Sequence, residues 1–191
     1  MAETYDLSAF MRELDVIVDE EKQNFRAIVN RGKPLLGRLL AEKKWLAARY
    51  YEPRQGGSVQ YLLNKSSVGK YTITSVVFWQ GYCTPVHNHN TWGLIGIWRG
   101  EEQEERFKRV DDGIRADHVQ LRPSGTLINI PGSICHLIPP DEEIHRICTV
   151  SPEPSCSIHV YGGDIFAKAR QQYDLETGAV KEFQVKAVVL D

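Results

Sequence analysis

Apolar residues recur at three- and four-residue steps in the first part of the chain, which is the spacing of one helix face. The pattern covers residues 7–23, with Asp6 as a candidate N-cap, and returns over residues 33–48, where Pro34 fits a first helical turn. Polar side chains occupy the opposite face of both segments. The pattern therefore predicts two amphipathic helices that pack as a layer on the rest of the molecule.

The pattern changes after a loop at residues 53–57, and β-branched and aromatic residues then dominate. Short segments of this type, separated by Gly, Pro, Asn and Asp, predict strands at residues 59–63, 71–80, 92–98, 104–110, 116–121, 126–130, 134–138, 144–150 and 156–161. Residues 165–173 favour a turn of helix before a last strand at 185–190. Strands without intervening helices predict an antiparallel barrel or sandwich.

A charged segment interrupts the apolar strands between Glu101 and Arg109. Four glutamates are followed there by two arginines and a lysine. Because charge runs of this kind are usually solvated, the segment is predicted to be an exposed hairpin strand without a binding role.

Length and composition fit one globular domain, since the chain has 191 residues, of which 42% are apolar and 25% are charged. We expect a single domain over residues 1–191, with a helical layer at 1–50 and a β-barrel core at 58–191. The net charge of −2 provides no broad basic surface, which argues against nucleic acid or a membrane as a partner. A small molecule is therefore the expected ligand, and the oligomeric state stays open.

The cysteines contain no C-x-x-C pair; they are Cys83, Cys135, Cys148 and Cys156. The opening residues lack the basic and apolar regions of a signal peptide. Together these features predict a cytoplasmic protein with free thiols. Cys83, which is flanked by apolar residues, is expected to be packed rather than reactive.

Two histidines supply the first candidate chemistry, because His87 and His89 lie two residues apart in a β-rich segment. Side chains alternate faces along a strand, so both imidazoles would point to one side. A mononuclear metal site on an antiparallel barrel needs a third ligand from a strand further along the chain. His136 and His145 are the candidates, whereas His118 lies in a polar segment and is expected at the surface.

Two motifs carry a family resemblance: Pro85-Val86-His87-Asn88-His89 followed by Trp92-Gly93-Leu94-Ile95-Gly96, and Ser157-Ile158-His159-Val160-Tyr161-Gly162. Over roughly residues 58–172 the chain resembles the type I cysteine dioxygenase group of cupins, the thiol dioxygenases. It is most similar to their bacterial 3-mercaptopropionate dioxygenase branch. The resemblance implies a mainly β protein, a cupin double-stranded β-helix or jelly-roll barrel, that holds Fe(II).

The resemblance also implies a ligand set. In this family the third iron ligand follows a Pro-Gly turn and precedes the Ser-x-His-x-Tyr element, a position that His145 occupies here. His136 stays an alternative, because it fits the generic second cupin motif. The family usually has Asp between its first two histidines, so Asn88 removes one negative charge near the metal.

Further site residues follow from the same resemblance. Ser157, His159 and Tyr161 alternate along one predicted strand, which permits a hydrogen-bond relay that ends at the phenol near the iron. Gln60 and Arg170 match positions near the substrate carboxylate, and an arginine there would clamp the acid in a bidentate way.

The implied activity is that of a non-haem iron thiol dioxygenase, which adds both atoms of O₂ to sulfur and forms a sulfinate. A small thiol carboxylate is the expected substrate, with 3-mercaptopropionate first and L-cysteine next. Three neutral imidazoles leave the charge of Fe(II) uncompensated, which favours a thiolate ligand. Two alternatives remain open: a cupin metalloenzyme that acts on a non-thiol substrate, and a non-catalytic cupin that binds a small molecule.

Overall fold

The computed structural model describes residues 5–190, which form two antiparallel sheets preceded by two helices. The helices are α1 (Leu7–Glu21) and α2 (Phe25–Ala41), and a short 3₁₀ turn follows at Ala48–Tyr51. The strands are β1 (Ser58–Lys65), β2 (Tyr71–Phe78), β3 (Val86–His87), β4 (Gly93–Arg99), β5 (Glu102–Arg109), β6 (Leu121–Asn129), β7 (Ile134–Leu137), β8 (His145–Thr149), β9 (Ser155–Gly162), β10 (Arg170–Tyr173) and β11 (Val180–Phe183). The prediction of a mainly β structure of antiparallel strands with an N-terminal helical layer is confirmed.

The two sheets face each other across the interior. The five-stranded sheet has the order β1-β2-β9-β4-β7, and the six-stranded sheet has the order β11-β10-β3-β8-β5-β6. Strand β9 is buried along its whole length between β2 and β4. Because its side chains alternate, Ile158 and Val160 pack beneath the helices, while His159 and Tyr161 face the interior. One strand therefore serves both the core and the cavity.

Helix α2 lies directly on the outer face of the five-stranded sheet, since two glycines allow a close approach. A Cβ atom on Gly32 would lie 2.7 Å from Cδ1 of Leu94, and a Cβ atom on Gly96 would lie 2.6 Å from Cδ1 of Leu40. Leu36 is fully buried in the same core. The predicted helical layer is thus seated on β4.

The second helix begins at Phe25 rather than at residue 33, so the predicted start was wrong. Asn24 caps this helix, because its side-chain oxygen accepts a hydrogen bond of 3.2 Å from the backbone nitrogen of Ala27. Pro34 consequently lies inside the helix, where it lacks the N–H that would bond the preceding turn. Neither helix in the described part of the chain is long and apolar enough to cross a membrane.

Two of the predicted strands were also wrong. Residues 116–120 contribute an isolated bridge between His118 and Ala179, and β6 begins at Leu121. Residues 185–190 contribute an isolated bridge between Val188 and Tyr61. Strands β3, β10 and β11 were not predicted, and β10 replaces the end of the expected helical turn at residues 165–173. These strands are short and mostly polar, so they lack the apolar alternation that predicted the others.

The charged segment is not the exposed strand that its composition suggested. It forms β5, which lies between β8 and β6. Glu102 and Glu104 point inward and are each 1% exposed, whereas Glu105 lies on the other face and pairs with Arg146. Strand alternation thus buries two carboxyl groups within a run of charge.

The expectation of four free thiols is wrong for one pair, because Cys83 and Cys148 form a disulfide across 65 residues. This bond joins the segment that enters β3 to strand β8. Cys135 and Cys156 are free and buried. Sequence spacing does not indicate this pairing, since it depends on which strands become neighbours in the fold.

Candidate metal centre

Three buried histidines converge in the interior. Their ligand atoms lie within 4.8 Å of one another, and the Nε2 atoms of His89 and His145 are 3.0 Å apart. His87 and His145 are register partners on the adjacent strands β3 and β8, and the His-x-His spacing brings His89 to the same point. The structure therefore gathers the three histidines that the family resemblance implies as ligands.

Hydrogen bonds orient two of these rings so that their Nε2 atoms face the shared point. Nδ1 of His87 donates to the carbonyl oxygen of Pro85 over 2.9 Å, and Nδ1 of His145 donates to Oε1 of Glu104 over 2.9 Å. Because each acceptor fixes the proton on Nδ1, it leaves the lone pair of Nε2 available for a metal.

The turn after His89 is held by Glu143. Its Oε2 atom accepts hydrogen bonds from the backbone nitrogens of His89, at 3.0 Å, and of Asn90, at 2.6 Å. Asn90 has a φ of 54°, a left-handed conformation that asparagine tolerates. The side chain of Asn88 forms a hydrogen bond with β10, because its Oδ1 accepts from the backbone nitrogen of Gln171 at 2.7 Å. These contacts fix the position of His89.

The donor set fits a divalent transition metal. Burial, followed by the neighbouring histidines, lowers the pKa of His87 and of His89 well below the usual value, so both imidazoles are neutral near pH 7. Neutral imidazole nitrogens suit zinc, copper, iron and nickel. The one group of possible metal ligands found among residues 5–190 consists of three histidines without a carboxylate.

The alternative ligand His136 lies outside this group. Its Nδ1 atom is 3.1 Å from Nζ of Lys33, and its Nε2 atom is 3.0 Å from Oε2 of Glu142. Both ring nitrogens therefore already have partners at the protein surface, beside α2. His118 is half-buried, pairs through its backbone with Ala179, and is not part of the histidine group either.

A cavity of about 200 Å³ opens beside the three histidines, and both sheets contribute to its walls. Gln60, Arg170, His159 and Tyr161, which the sequence analysis named as candidate site residues, all line it. Gln60 is buried on β1, and its Nε2 atom donates to Oγ1 of Thr74 over 3.1 Å. The cavity thus joins the candidate metal group to polar groups on the opposite sheet.

Arg170 provides a buried cation with unused donors. It is 4% exposed, its guanidinium lies 4.8 Å from the ring centroid of Phe183, and one Nη atom is 3.5 Å from Nδ1 of His89. Its Nε atom is buried without a hydrogen-bond partner, and no acidic side chain in the described part of the chain forms an ion pair with it. Desolvation lowers the pKa of Arg170. Such a group favours an anionic ligand in the cavity.

The predicted relay contacts are present. Oγ of Ser157 lies 2.8 Å from Nε2 of His159, and Nδ1 of His159 lies 2.6 Å from the hydroxyl of Tyr161. The Tyr161 ring stacks on His89, with centroids 5.0 Å apart. Burial, followed by His145 and Arg170, lowers the pKa of His159 to about 3, and burial raises the pKa of Tyr161. Both groups are therefore neutral at physiological pH.

Sequence reasoning missed the acidic residues around the site. Glu104 orients His145, and Glu143 holds the turn at His89. Glu102 lies on the same inward face of β5 as Glu104. Alternate spacing along β5 was a signal for Glu102 and Glu104, but the surrounding charges concealed it.

No protein-family model matches the chain. It is similar to an oxalate oxidase in complex with the substrate analogue glycolate, at 16% identity and a TM-score of 0.44, over 58% of this chain and 53% of that one. A cupin superfamily protein from Desulfitobacterium hafniense gives 18% identity and a TM-score of 0.42, over 59% and 84% of the two chains. An uncharacterised double-stranded β-helix protein from Klebsiella pneumoniae has 15% sequence identity and a TM-score of 0.47, over 64% of this chain and 87% of that chain. The chain thus matches about half the length of the oxalate oxidase, and similarity at this level says nothing about activity.

Proposed function

We propose that the protein is a non-haem iron thiol dioxygenase that converts a small thiol carboxylate and O₂ to the sulfinate. The favoured substrate is 3-mercaptopropionate, followed by L-cysteine, and the proposed location is the cytoplasm. The observation that supports this function best is the position of the buried, unpaired Arg170 beside an all-histidine metal group.

The charge of the site supports a substrate with two anionic groups. Three neutral imidazoles leave the two positive charges of Fe(II) uncompensated, and Arg170 adds a third in the same buried cavity. A buried charge is costly unless it is paired. A thiolate and a carboxylate on one small molecule would offset most of this charge, whereas a neutral sugar or diketone would not.

Fe(II) held by His87, His89 and His145 would supply a Lewis acid that favours the thiolate, together with open positions for sulfur and O₂. The protein's own groups have separate tasks. Arg170 offers several N–H donors to the carboxylate, and the Tyr161 hydroxyl holds a proton at the cavity wall. The side chains of Val76, Phe78 and Ile147 give part of the cavity wall an apolar surface.

The proposed activity is tested by O₂ consumption of anaerobically iron-loaded protein with 3-mercaptopropionate, L-cysteine and mercaptosuccinate in parallel. We expect uptake and stoichiometric sulfinate with one of these thiols, loss of both in His145→Ala, and retention of both in the matched control His136→Ala. If the fully iron-loaded protein consumes no O₂ with any thiol, the proposal is overturned in favour of a non-thiol substrate or a binding role.

A further inference from the structure

A buried carboxyl group lies behind the relay and has no part in the proposed reaction. Glu102 projects from β5 toward β9, is 1% exposed, and lies near the hydroxyls of Ser155 and Ser157, which act to lower its pKa. Its Oε1 atom is buried without a hydrogen-bond partner. A buried acid with an unsatisfied oxygen requires an explanation, because leaving it so destabilises the fold.

Glu102 extends the relay into one continuous chain. Ser157 contacts Glu102 on one side and Nε2 of His159, at 2.8 Å, on the other. Nδ1 of His159 then contacts the Tyr161 hydroxyl at 2.6 Å, and Tyr161 lines the cavity. Two hydrogen bonds therefore run from the cavity wall to Ser157, and the buried carboxyl group of Glu102 lies next to that serine.

The direction of these hydrogen bonds depends on the proton of Glu102. When the carboxyl group is ionised, Ser157 donates to it, and His159 donates from Nε2 to Ser157. Tyr161 then donates its proton to Nδ1 of His159 and presents only lone pairs to the cavity.

A protonated Glu102 is able to donate to Ser157, and the other bonds of the chain then reverse as well. The carboxyl group donates to Ser157, Ser157 donates to Nε2 of His159, and His159 donates from Nδ1 to the Tyr161 oxygen. The Tyr161 proton is then free to point into the cavity. Glu102 gains one proton from solution, while each of the other three groups keeps one hydrogen and remains neutral.

We propose that Glu102 is a positioning residue whose protonation decides whether Tyr161 donates to, or accepts from, a ligand in the cavity. It acts through Ser157 and His159 and does not touch the ligand itself. Its consequence for catalysis rests on the proposed function, but the coupling between Glu102 and Tyr161 is a property of the protein alone.

The surroundings of Glu102 allow both states near neutral pH. Burial, opposed by hydrogen bonds from Ser155 and Ser157 and reinforced by the charge of Glu104, raises the pKa of Glu102 to about 7. Thr149 and Asn129 lie opposite it on β8 and β6, and neither is charged. The titratable groups of the facing sheet near Glu102 are Cys135, Cys156, His159 and Tyr161. Burial raises the pKa of the two cysteines and of the tyrosine well above the usual value and lowers that of His159 to about 3.

The coupling is tested on metal-free protein without thiol. Tyrosine is labelled with ¹³C at Cζ, the Tyr161 resonance is assigned with Tyr161→Phe, and Glu102 protonation is followed by the infrared carbonyl band that Glu102→Gln removes. We expect the Tyr161 resonance and the Glu102 band to titrate together, with a midpoint of about pH 7. Glu102→Gln should abolish the Tyr161 transition.

The matched control is Ser157→Ala, which removes the middle of the chain. In this variant Glu102 should still titrate, but the Tyr161 resonance should no longer follow it. A Tyr161 transition that persists in Glu102→Gln or Ser157→Ala would overturn the proposal, as would a Glu102 titration in the unmodified protein that leaves Tyr161 unchanged. If Glu102→Gln does not fold, Ser157→Ala still decides the question, and neither result depends on dioxygenase activity.

Discussion

Glu104 lies behind His145, and its Oε1 atom accepts a hydrogen bond from Nδ1 of that histidine over 2.9 Å. The Nη2 atom of Arg106 lies 3.0 Å from the same oxygen. Although burial opposes ionisation, the contacts with His145 and Arg106 keep the pKa of Glu104 below its usual value. A fixed carboxylate of this kind sets the ring orientation of a metal-binding histidine and raises its basicity.

Glu104→Gln should therefore weaken metal binding by roughly 10- to 100-fold, which is typical for loss of such a partner. The measurement is an anaerobic titration with Fe(II) or Co(II) against a competing chelator. Glu105→Gln is the matched control, because Glu105 lies on the outer face of the same strand and pairs with Arg146. Equal affinities for the two variants would show that Glu104 does not support the metal site.

Arg170 should determine selectivity for acids. Loss of a charge-assisted hydrogen bond of about 1.5–3 kcal/mol corresponds to a roughly 10- to 100-fold increase in KM. We expect this increase in Arg170→Gln with 3-mercaptopropionate, whereas the corresponding alcohol, 3-mercaptopropanol, should be affected far less. The test is steady-state O₂ uptake with both thiols, and an equal loss for acid and alcohol would contradict a carboxylate-binding role.

Glu102 should also affect the pH dependence of stability. Because its pKa is raised from 4.5 to about 7 in the fold, the folded protein binds more protons than the unfolded chain between these values. The contribution of this group to stability therefore falls as the pH rises through that window, and it stays low above it.

In Glu102→Gln this pH-dependent loss should be absent. The difference in Tm between the variant and the unmodified protein should shift in favour of the variant from about pH 4.5 to pH 7 and level off above. Thermal unfolding across this range measures the effect, and the lowered pKa of His159 contributes equally to both proteins. Parallel Tm curves would show that Glu102 does not titrate in the fold.

The disulfide between Cys83 and Cys148 should contribute substantially to stability. In the chain-entropy account, a bond that closes a loop of 65 residues contributes about 4 kcal/mol. Reductant should lower the Tm of the unmodified protein but leave a Cys83→Ala/Cys148→Ala double variant unchanged. Thiol counting after denaturation should give two free thiols before reduction and four after it.

The disulfide argues against the proposed cytoplasmic location, since disulfides are rare in that compartment, and the same count therefore tests that part of the proposal. Cys135→Ala is the control, because Cys135 is buried and unbonded and its loss should not change the effect of reductant. Four free thiols in protein isolated without reductant would contradict the disulfide and support the original expectation of a reducing environment.

Parts of the site were predictable because their signals are local. Ser-x-His-x-Tyr places its side chains on one face of β9, and the His-x-His spacing brings His89, just beyond the end of β3, to the same point as His87. The spacing made His87 and His89 candidates, whereas the role of Tyr161 came from the family resemblance. The choice between His136 and His145 needed a family resemblance, because it depends on which strand becomes the neighbour of β3.

Other features have no local signal. The partners of Cys83 and of Glu104 lie on a strand more than forty residues away, and only the fold brings them together. The burial of Glu102 was not predicted, because the run of charged residues was interpreted as a solvated strand. Alternate residues of β5 in fact have opposite environments. The start of α2 was missed because Pro34 was interpreted as a helix start when the cap is Asn24.

The close contact of α2 with β4 links the N-terminal helices to the behaviour of the whole molecule. With Gly32 and Gly96 at the contact, the helix and the sheet share one core, and Leu94 and Ile158 depend on the helices for their burial. Helical and β signals should therefore disappear in a single cooperative transition on heating. A larger residue at Gly96 would push the helix away from the sheet and loosen the strands that carry the relay. The helices thus stabilise the sheet that carries the relay residues, and removing them would expose the apolar outer face of that sheet and destabilise the fold.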